Sequence, residues 1–320
     1  MPRLTTARSE GNRGRHGRAS RGLAIVTLLV VATLPGCGIG DDGPRTIPLG
    51  TPAMTKTAED LSIGPSGQVV DVYVPAKPNG RLLVWVHGGS WTGGSEEDIN
   101  GDAGLSARHL NQVEGWTVIS VRYRLADASV HLAEQITDIH AAIRWARLNA
   151  ASLRIDPAQI FTMGFSAGGH LVTMAALTAG VPALEPTWAD GDSSVLGVVV
   201  LAGAFCMDQN PVTPTCAAVT PAVLGCQVGA CDAQVIAAAQ PQTWVTDDIR
   251  NAATPTFRFI AGDNDPIVDS SHTRQVANQL GDALGGGRVQ FEMVTHGPKE
   301  HRGHVTDAAL DLDALLRFLG

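Results

Sequence analysis

Beyond Cys37 the sequence has no run of basic residues. The whole chain carries a formal charge of −8, but residues 1–36 alone carry +5, from six arginines against Glu10, so the remainder carries −13. Binding to nucleic acid phosphates needs clusters of Lys and Arg, and a body this acidic excludes nucleic acid as a partner. Long apolar runs are also missing. The one extended stretch, Leu23–Leu34, reads LAIVTLLVVATL, well short of the ~20 residues that cross a bilayer as a helix. No two cysteines stand at C-x2-C spacing and no histidine lies between Cys206 and Cys231, so zinc is the competing and less favoured reading of these cysteines. No internal repeat is present, so the chain is not a solenoid.

What is present falls into an unusual front end and a long regular body. Arg3, Arg8, Arg13, Arg15, Arg18 and Arg21 precede the short apolar run, which ends in LPGC, Leu34 to Cys37. A positive flank, a short apolar core and small residues after it describe an export signal. The last four residues resemble the lipobox of bacterial lipoproteins, which implies acylation of Cys37 and a membrane tether. The expected organisation is a lipoprotein signal over 1–36, a Gly/Pro-rich flexible tether over 37–55 and one domain over 56–320. Four cysteines remain after Cys37, namely Cys206, Cys216, Cys226 and Cys231. In an exported protein an even, clustered set reads as two disulfides. Three pairings are possible, and the local one, Cys206–Cys216 with Cys226–Cys231, is the expectation.

The body alternates strand and helix signals. GQVVDVYVP, RLLVWVHGG, WTVISVRYRL, QIFTMGFS, VLGVVVLAGAF, TFRFIAGD and RVQFEMVTH are strand-like. Between Asp127 and Leu153 the apolar residues Leu132, Ile136, Ile139, Ile143 and Ala146 recur at helical spacing. Further helices are expected from Ala167, around Gln275–Leu284, and from about Asp307 to Phe318. Strands such as Val198–Leu201 are apolar throughout, as strands covered by helices on both faces must be. The fold class is therefore α/β, an open and mostly parallel sheet. Residues 206–250 break the alternation and read as an insertion over the C-terminal edge of that sheet, a lid.

Two motifs carry chemistry. FTMGFSAGGH places Ser166 between Gly164 and Gly168, after a strand and before a helix. G-x-S-x-G at such a junction is a nucleophile elbow, whose sharp turn leaves no space for side chains two residues on either side. VHGGSW, Val86–Trp91, follows another strand. Attack by a serine creates an oxyanion that needs fixed N–H donors. Gly88, Gly89 and Ala167 are the candidates for that hole. His87 is read as a structural brace of its loop, and His170, one turn after Ser166, as unable to face the hydroxyl.

HGGSW, VRYRLA, QITDIHAAIRW, LRIDPAQIFTMGFSAGGHL and AGDNDPIV occur in this order. Together they resemble the α/β-hydrolase superfamily of serine esterases, including feruloyl-esterase-like and arylformamidase-like groups with an HGG-x-W loop. The resemblance spans roughly residues 60–320. It implies a serine attacking a carboxylic ester to give an acyl-enzyme, with no cofactor. It implies an acid in a G-x-x-D-x-x-V loop, where Gly262, Asp265 and Val268 fit and Asp263 is read as a loop cap. It also implies a base after the last strand. His296, His301 and His304 lie there. His296 is too close to the strand end, while Gly303 and the final helix favour His304 over His301. Where many relatives carry Gly-x-Tyr-Asp, this chain has Cys206 and the start of its insertion. An arylformamidase-like or small-peptide hydrolase shares the same triad and stands as the alternative, and a non-catalytic binding protein on the same scaffold is the remaining class.

Overall fold

A computed structural model describes residue 47 and residues 51–320, except 208–213, 253–254, 286, 296–300 and 302–310. The chain divides into two units, Met1–Asp42 and Gly43–Gly320, and every described residue belongs to the second. The signal and Cys37 lie outside the described residues, as does most of the tether.

The described strands are β1 (Ala58–Ser62), β2 (Val69–Tyr73), β3 (Gly80–Val86), β4 (Thr117–Arg122), β5 (Ile155–Phe165), β6 (Gly197–Leu201), β7 (Thr256–Gly262) and β8 (Val289–Val294). They form one sheet in the order β1-β2-β4-β3-β5-β6-β7-β8. The pairs β1–β2 and β2–β4 are antiparallel, and every pair from β4–β3 to β7–β8 is parallel. Alternation within β3 explains how the sheet is covered. Leu82, Val84 and Val86 point into one core cluster and Leu83 and Trp85 into the other. The first cluster is closed by α2 (Leu132–Leu148), α4 (Ala167–Thr178) and α8 (Ser270–Leu284); the second by α1 (Leu105–Gln112) and, after α8, the last helix, Leu312–Leu319. Ile136, Ile139, Ile143 and Ala146 of α2 are all buried, the stripe their spacing demands.

Several boundaries differ from the sequence expectation. The long helix begins at Leu132 because Asp127 instead caps a turn, its carboxylate accepting from the backbone N–H groups of Ser129 and Val130. It ends at Leu148, and a single further turn, α3 (Ala150–Leu153), follows. The last helix starts at Leu312 rather than near Asp307, with Asp311 accepting from the Ala314 N–H as its cap. Neither β1 nor α1 was expected. β1 is a polar, mostly exposed edge strand, so it lacks the apolar signal.

The connection from β6 to β7 holds α5 (Pro214–Leu224), α6 (Ala233–Ala238) and α7 (Asp247–Asn251), short helices without a strand among the described residues. Both disulfides are the local pairs, Cys206–Cys216 with Cα atoms 6.1 Å apart and Cys226–Cys231 at 5.2 Å. His131, at the start of α2, also ties this segment down, its Nδ1 lying 2.7 Å from the Ala222 carbonyl.

Candidate active site

The sheet order decides which loops meet. From β3 the chain steps to β4 on one side, and β5 then returns to pair with β3 on the other. Loops leaving the carboxyl ends of strands on either side of such a reversal frame a crevice. Val86 at the end of β3 stands opposite Gly164 near the end of β5. The HGGSW loop and the Ser166 turn are therefore neighbours by register.

Ser166 has φ 56° and ψ −119°, backbone that an L-residue with a side chain rarely adopts and that costs on the order of 1–3 kcal/mol. Two hydrogen bonds hold its peptide groups to the β6 end: its N–H donates to the Leu201 carbonyl (2.8 Å), and its carbonyl accepts from Ala204 N–H (3.1 Å). The flanking glycines are obligatory. A Cβ on Gly164 would overlap the Gly168 carbonyl, and one on Gly168 would overlap the carbonyl oxygens of Val86 and His87. The turn is thus packed backbone on backbone against β3. Ala167 opens α4, where first-turn N–H groups have no acceptor within the helix.

On the facing loop, a Cβ on Gly88 would stand 3.1 Å from the Ser166 Cβ, so this backbone runs directly past the serine. Gly89, Ser90 and Trp91 follow with φ of 112°, 53° and 60°. Three successive left-handed residues curl the loop, and Gly93 N–H closes it onto the Gly89 carbonyl (2.9 Å). The Trp91 carbonyl accepts from Gln135 Nε2 (2.8 Å) and Ala126 N–H (2.8 Å). Gln135 is fully buried and was not foreseen; it looked like one more polar residue of α2. Ser90, also not foreseen, lines the cleft beside Ser166.

His87 and His170 take the structural places expected of them. The His87 ring stacks on Tyr123 at 4.2 Å, its Nδ1 lies 2.7 Å from the Gly88 carbonyl, and burial pushes its pKa down. His170 Nε2 lies 2.9 Å from the Ala239 carbonyl, with the Trp91 and Phe205 rings edge-on to it. Burial lowers its pKa to about 4.

Asp265 lies on the loop after β7 with a nearly buried side chain. Its Oδ1 accepts from the N–H groups of Ile267 and Val268, both at 2.9 Å. Its Oδ2 lies 2.6 Å from Nδ1 of His301, the one described residue between 296 and 310. The His301 ring also rests against Phe165, centroids 4.8 Å apart. His304 and His296 fall outside the described residues, so the histidine seen against Asp265 is His301. Phe165 directly precedes Ser166, and Ser166, His301, Gly89, Ser90 and Ile267 line one cleft. A second, narrower arm opens from Ser166 toward the β6–β7 connection, between Trp91, Phe205, Val268 and the Cys206–Cys216 bridge.

The BD-FAE family profile matches residues 70–280. The chain is 27% identical to the probable carboxylic ester hydrolase LipM of Mycobacterium tuberculosis, over 69% of this chain and 51% of that protein. It is 28% identical to the esterase LipQ of the same organism, over 81% of this chain and 58% of that one. The chain thus spans about half the length of the curated relatives it matches. Among solved structures, a truncated carbohydrate esterase from gut microbiota superposes with a TM-score of 0.66 at 24% identity, covering 78% of this chain and 89% of that one. Thermogutta terrifontis esterase 2 superposes at 0.59 and 20% identity, covering 85% and 94%. The shared architecture is the α/β-hydrolase fold.

Proposed function

This chain belongs to the BD-FAE family, and from that premise and the site geometry we propose that it hydrolyses carboxylic esters through an acyl-enzyme on Ser166, with His301 as base and Asp265 as its orienting acid. The observation that carries this reading is the junction of three independent loops. A strained serine ends β5, a carboxylate follows β7, and a histidine bonded to that carboxylate lines the same cleft as the serine. With His301 Nδ1 donating to Asp265, Nε2 is left as the free acceptor for the serine proton. The proposal takes His301 as base on its contact with Asp265, while the expected His304 lies outside the described residues.

In the first step Ser166 Oγ bonds to the ester carbonyl carbon while its proton passes to His301 Nε2. The N–H groups of Gly88 or Gly89 and of Ala167 hold the resulting oxyanion. The carbonyl–alkoxy bond then breaks, and His301 returns the proton to the leaving alcohol. Water repeats the sequence on the acyl-enzyme and releases the carboxylic acid. Asp265 keeps the imidazole in one tautomer and stabilises its charged form. Its two backbone donors and nearly buried side chain hold it in place for that role.

A fluorophosphonate probe, followed by peptide mapping, should label Ser166 in the wild type and nothing in Ser166→Ala. A panel of p-nitrophenyl esters, formylkynurenine and peptide anilides should show turnover of the esters first. Labelling at another residue, or turnover of anilides alone, overturns the reading. A scaffold that only binds would show neither label nor turnover.

Residues 1–37 support a second part of the proposal, export and lipid anchoring through Cys37. Among the described residues no helix is long and apolar enough to cross a membrane. One acyl chain binds a membrane only marginally, so stable tethering requires several. The full chain made in a bacterial host should partition with membranes and Cys37→Ser should not; wild type found wholly in the soluble fraction contradicts this.

A further inference from the structure

The two arms of the cleft meet at Ser166 and differ in kind. The open arm, with about 450 Å³ of room, is lined by Gly89, Ser90, Asp102, Phe165, Ile267 and His301. The arm toward the β6–β7 connection leaves only about 20 Å³ for the centre of a water-sized sphere, room for roughly one water. Its walls include Trp91, Phe205, Val268 and the Cys206–Cys216 bridge, all buried, with Thr215, Asp269 and His272 also on its lining and Ser90 and Ile267 shared with the open arm.

Ester chemistry assigns the arms. The histidine that takes the serine proton must return it to the leaving alcohol, so the alcohol occupies the side where His301 stands. Among the described lining residues, His301 belongs to the open arm and not to the narrow one. The acyl group therefore goes into the narrow arm. We propose that the Cys206–Cys216 disulfide is the end wall of the acyl pocket and a specificity-determining element, restricting the acyl group to acetyl or little more while the open arm admits a much larger alcohol. This rests on the serine-esterase reading.

The bridge suits such a wall better than two aliphatic side chains. A disulfide links two segments covalently, one in the loop after β6 and one on α5, so the wall cannot swing aside as a rotamer does. Both cysteines are buried, at 5% and 6% exposure. Val268, also on the lining, is held by its N–H donating to Asp265 (2.9 Å), which ties that part of the wall to the triad itself. Each methylene added to the acyl chain would meet fixed atoms. One methylene too many in such a pocket typically costs about 10-fold or more in kcat/KM.

The test compares kcat/KM for p-nitrophenyl acetate, butyrate and octanoate in the wild type, in Cys206→Ala/Cys216→Ala and in Val268→Ala. The wild type should prefer acetate to butyrate by about 10-fold or more, with octanoate lower again. The double variant should raise butyrate relative to acetate by about 10-fold. Val268→Ala, which leaves the bridge intact, should move the ratio the same way and reports on the pocket if the double variant fails to fold. A wild type that prefers octanoate, or a ratio unmoved in the folded variants, overturns the pocket assignment while leaving the esterase reading in place. A wild type inert on all three esters and unlabelled by fluorophosphonate would instead remove the reading beneath it.

Discussion

Replacing Gly168 by alanine adds one methyl group, and the structure says where it must go. The new Cβ would overlap the carbonyl oxygens of Val86 and His87, which are backbone atoms of β3 and its loop. Neither can rotate away as a side chain would, so the α4 turn and the HGGSW loop have to separate. Overpacking of a closed site costs about 1–3 kcal/mol of stability. The activity loss should be larger, because Gly88 runs directly past Ser166 and a displacement of ~1 Å at a reacting centre costs roughly 100-fold in rate. Gly287→Ala is the control: nothing lies within 4 Å of its added methyl, and its stability should stay within about 0.5 kcal/mol of wild type. Urea unfolding gives the stability term and initial rates on p-nitrophenyl acetate give the activity. Gly168→Ala with wild-type kcat and an unchanged unfolding midpoint would refute the backbone-on-backbone packing of the turn.

Two further substitutions test the support of the site. Asp138 is fully buried and accepts from the Arg124 guanidinium, the Arg124 N–H and Gln68 Nε2. Arg124→Ala removes the charge that pairs with that buried carboxylate and should cost about 3 kcal/mol in chemical denaturation; a loss below 1 kcal/mol would show that Asp138 is not held as an ion pair. His170, with its pKa lowered to about 4 by burial, makes stability depend on pH in a defined window. Above about pH 6.5 the ring is neutral in both states. As pH falls toward 4 the unfolded chain takes up a proton that the folded one refuses, so stability falls across that range by about 3 kcal/mol and no further below it. His170→Asn should flatten this slope in unfolding experiments; an unchanged slope would assign it to other groups.

The body of the fold was legible because its signals are local. β3, β5 and β6 are apolar runs with turn residues after them, and α2 shows its buried stripe in the spacing of its isoleucines. The elbow was legible for the same reason, since clearance two residues from the serine is written as Gly164 and Gly168. The local cysteine pairs were one of three pairings the sequence allowed, and they are the ones present. What the sequence concealed depends on tertiary position. β1 is polar and gains its place by pairing with β2. Gln135 and Asp138 look like surface residues of a helix, yet both are buried beneath the β4 and HGGSW loops. The choice among three histidines was argued from a local bend at Gly303, whereas the contacts of the His301 ring with Asp265 and Phe165 are tertiary and have no local signal; His304 lies outside the described residues. The small arm beside the Cys206–Cys216 bridge exists only once the β6–β7 connection folds over the sheet.

The most direct test of the triad is the pair of single substitutions His301→Ala and His304→Ala, with kcat measured on p-nitrophenyl acetate beside Ser166→Ala. Members of a triad act as a unit, so His301→Ala should fall about 1,000-fold or more, as Ser166→Ala does, while His304→Ala stays near wild type. A nearly wild-type His301→Ala beside an inactive, folded His304→Ala would contradict it.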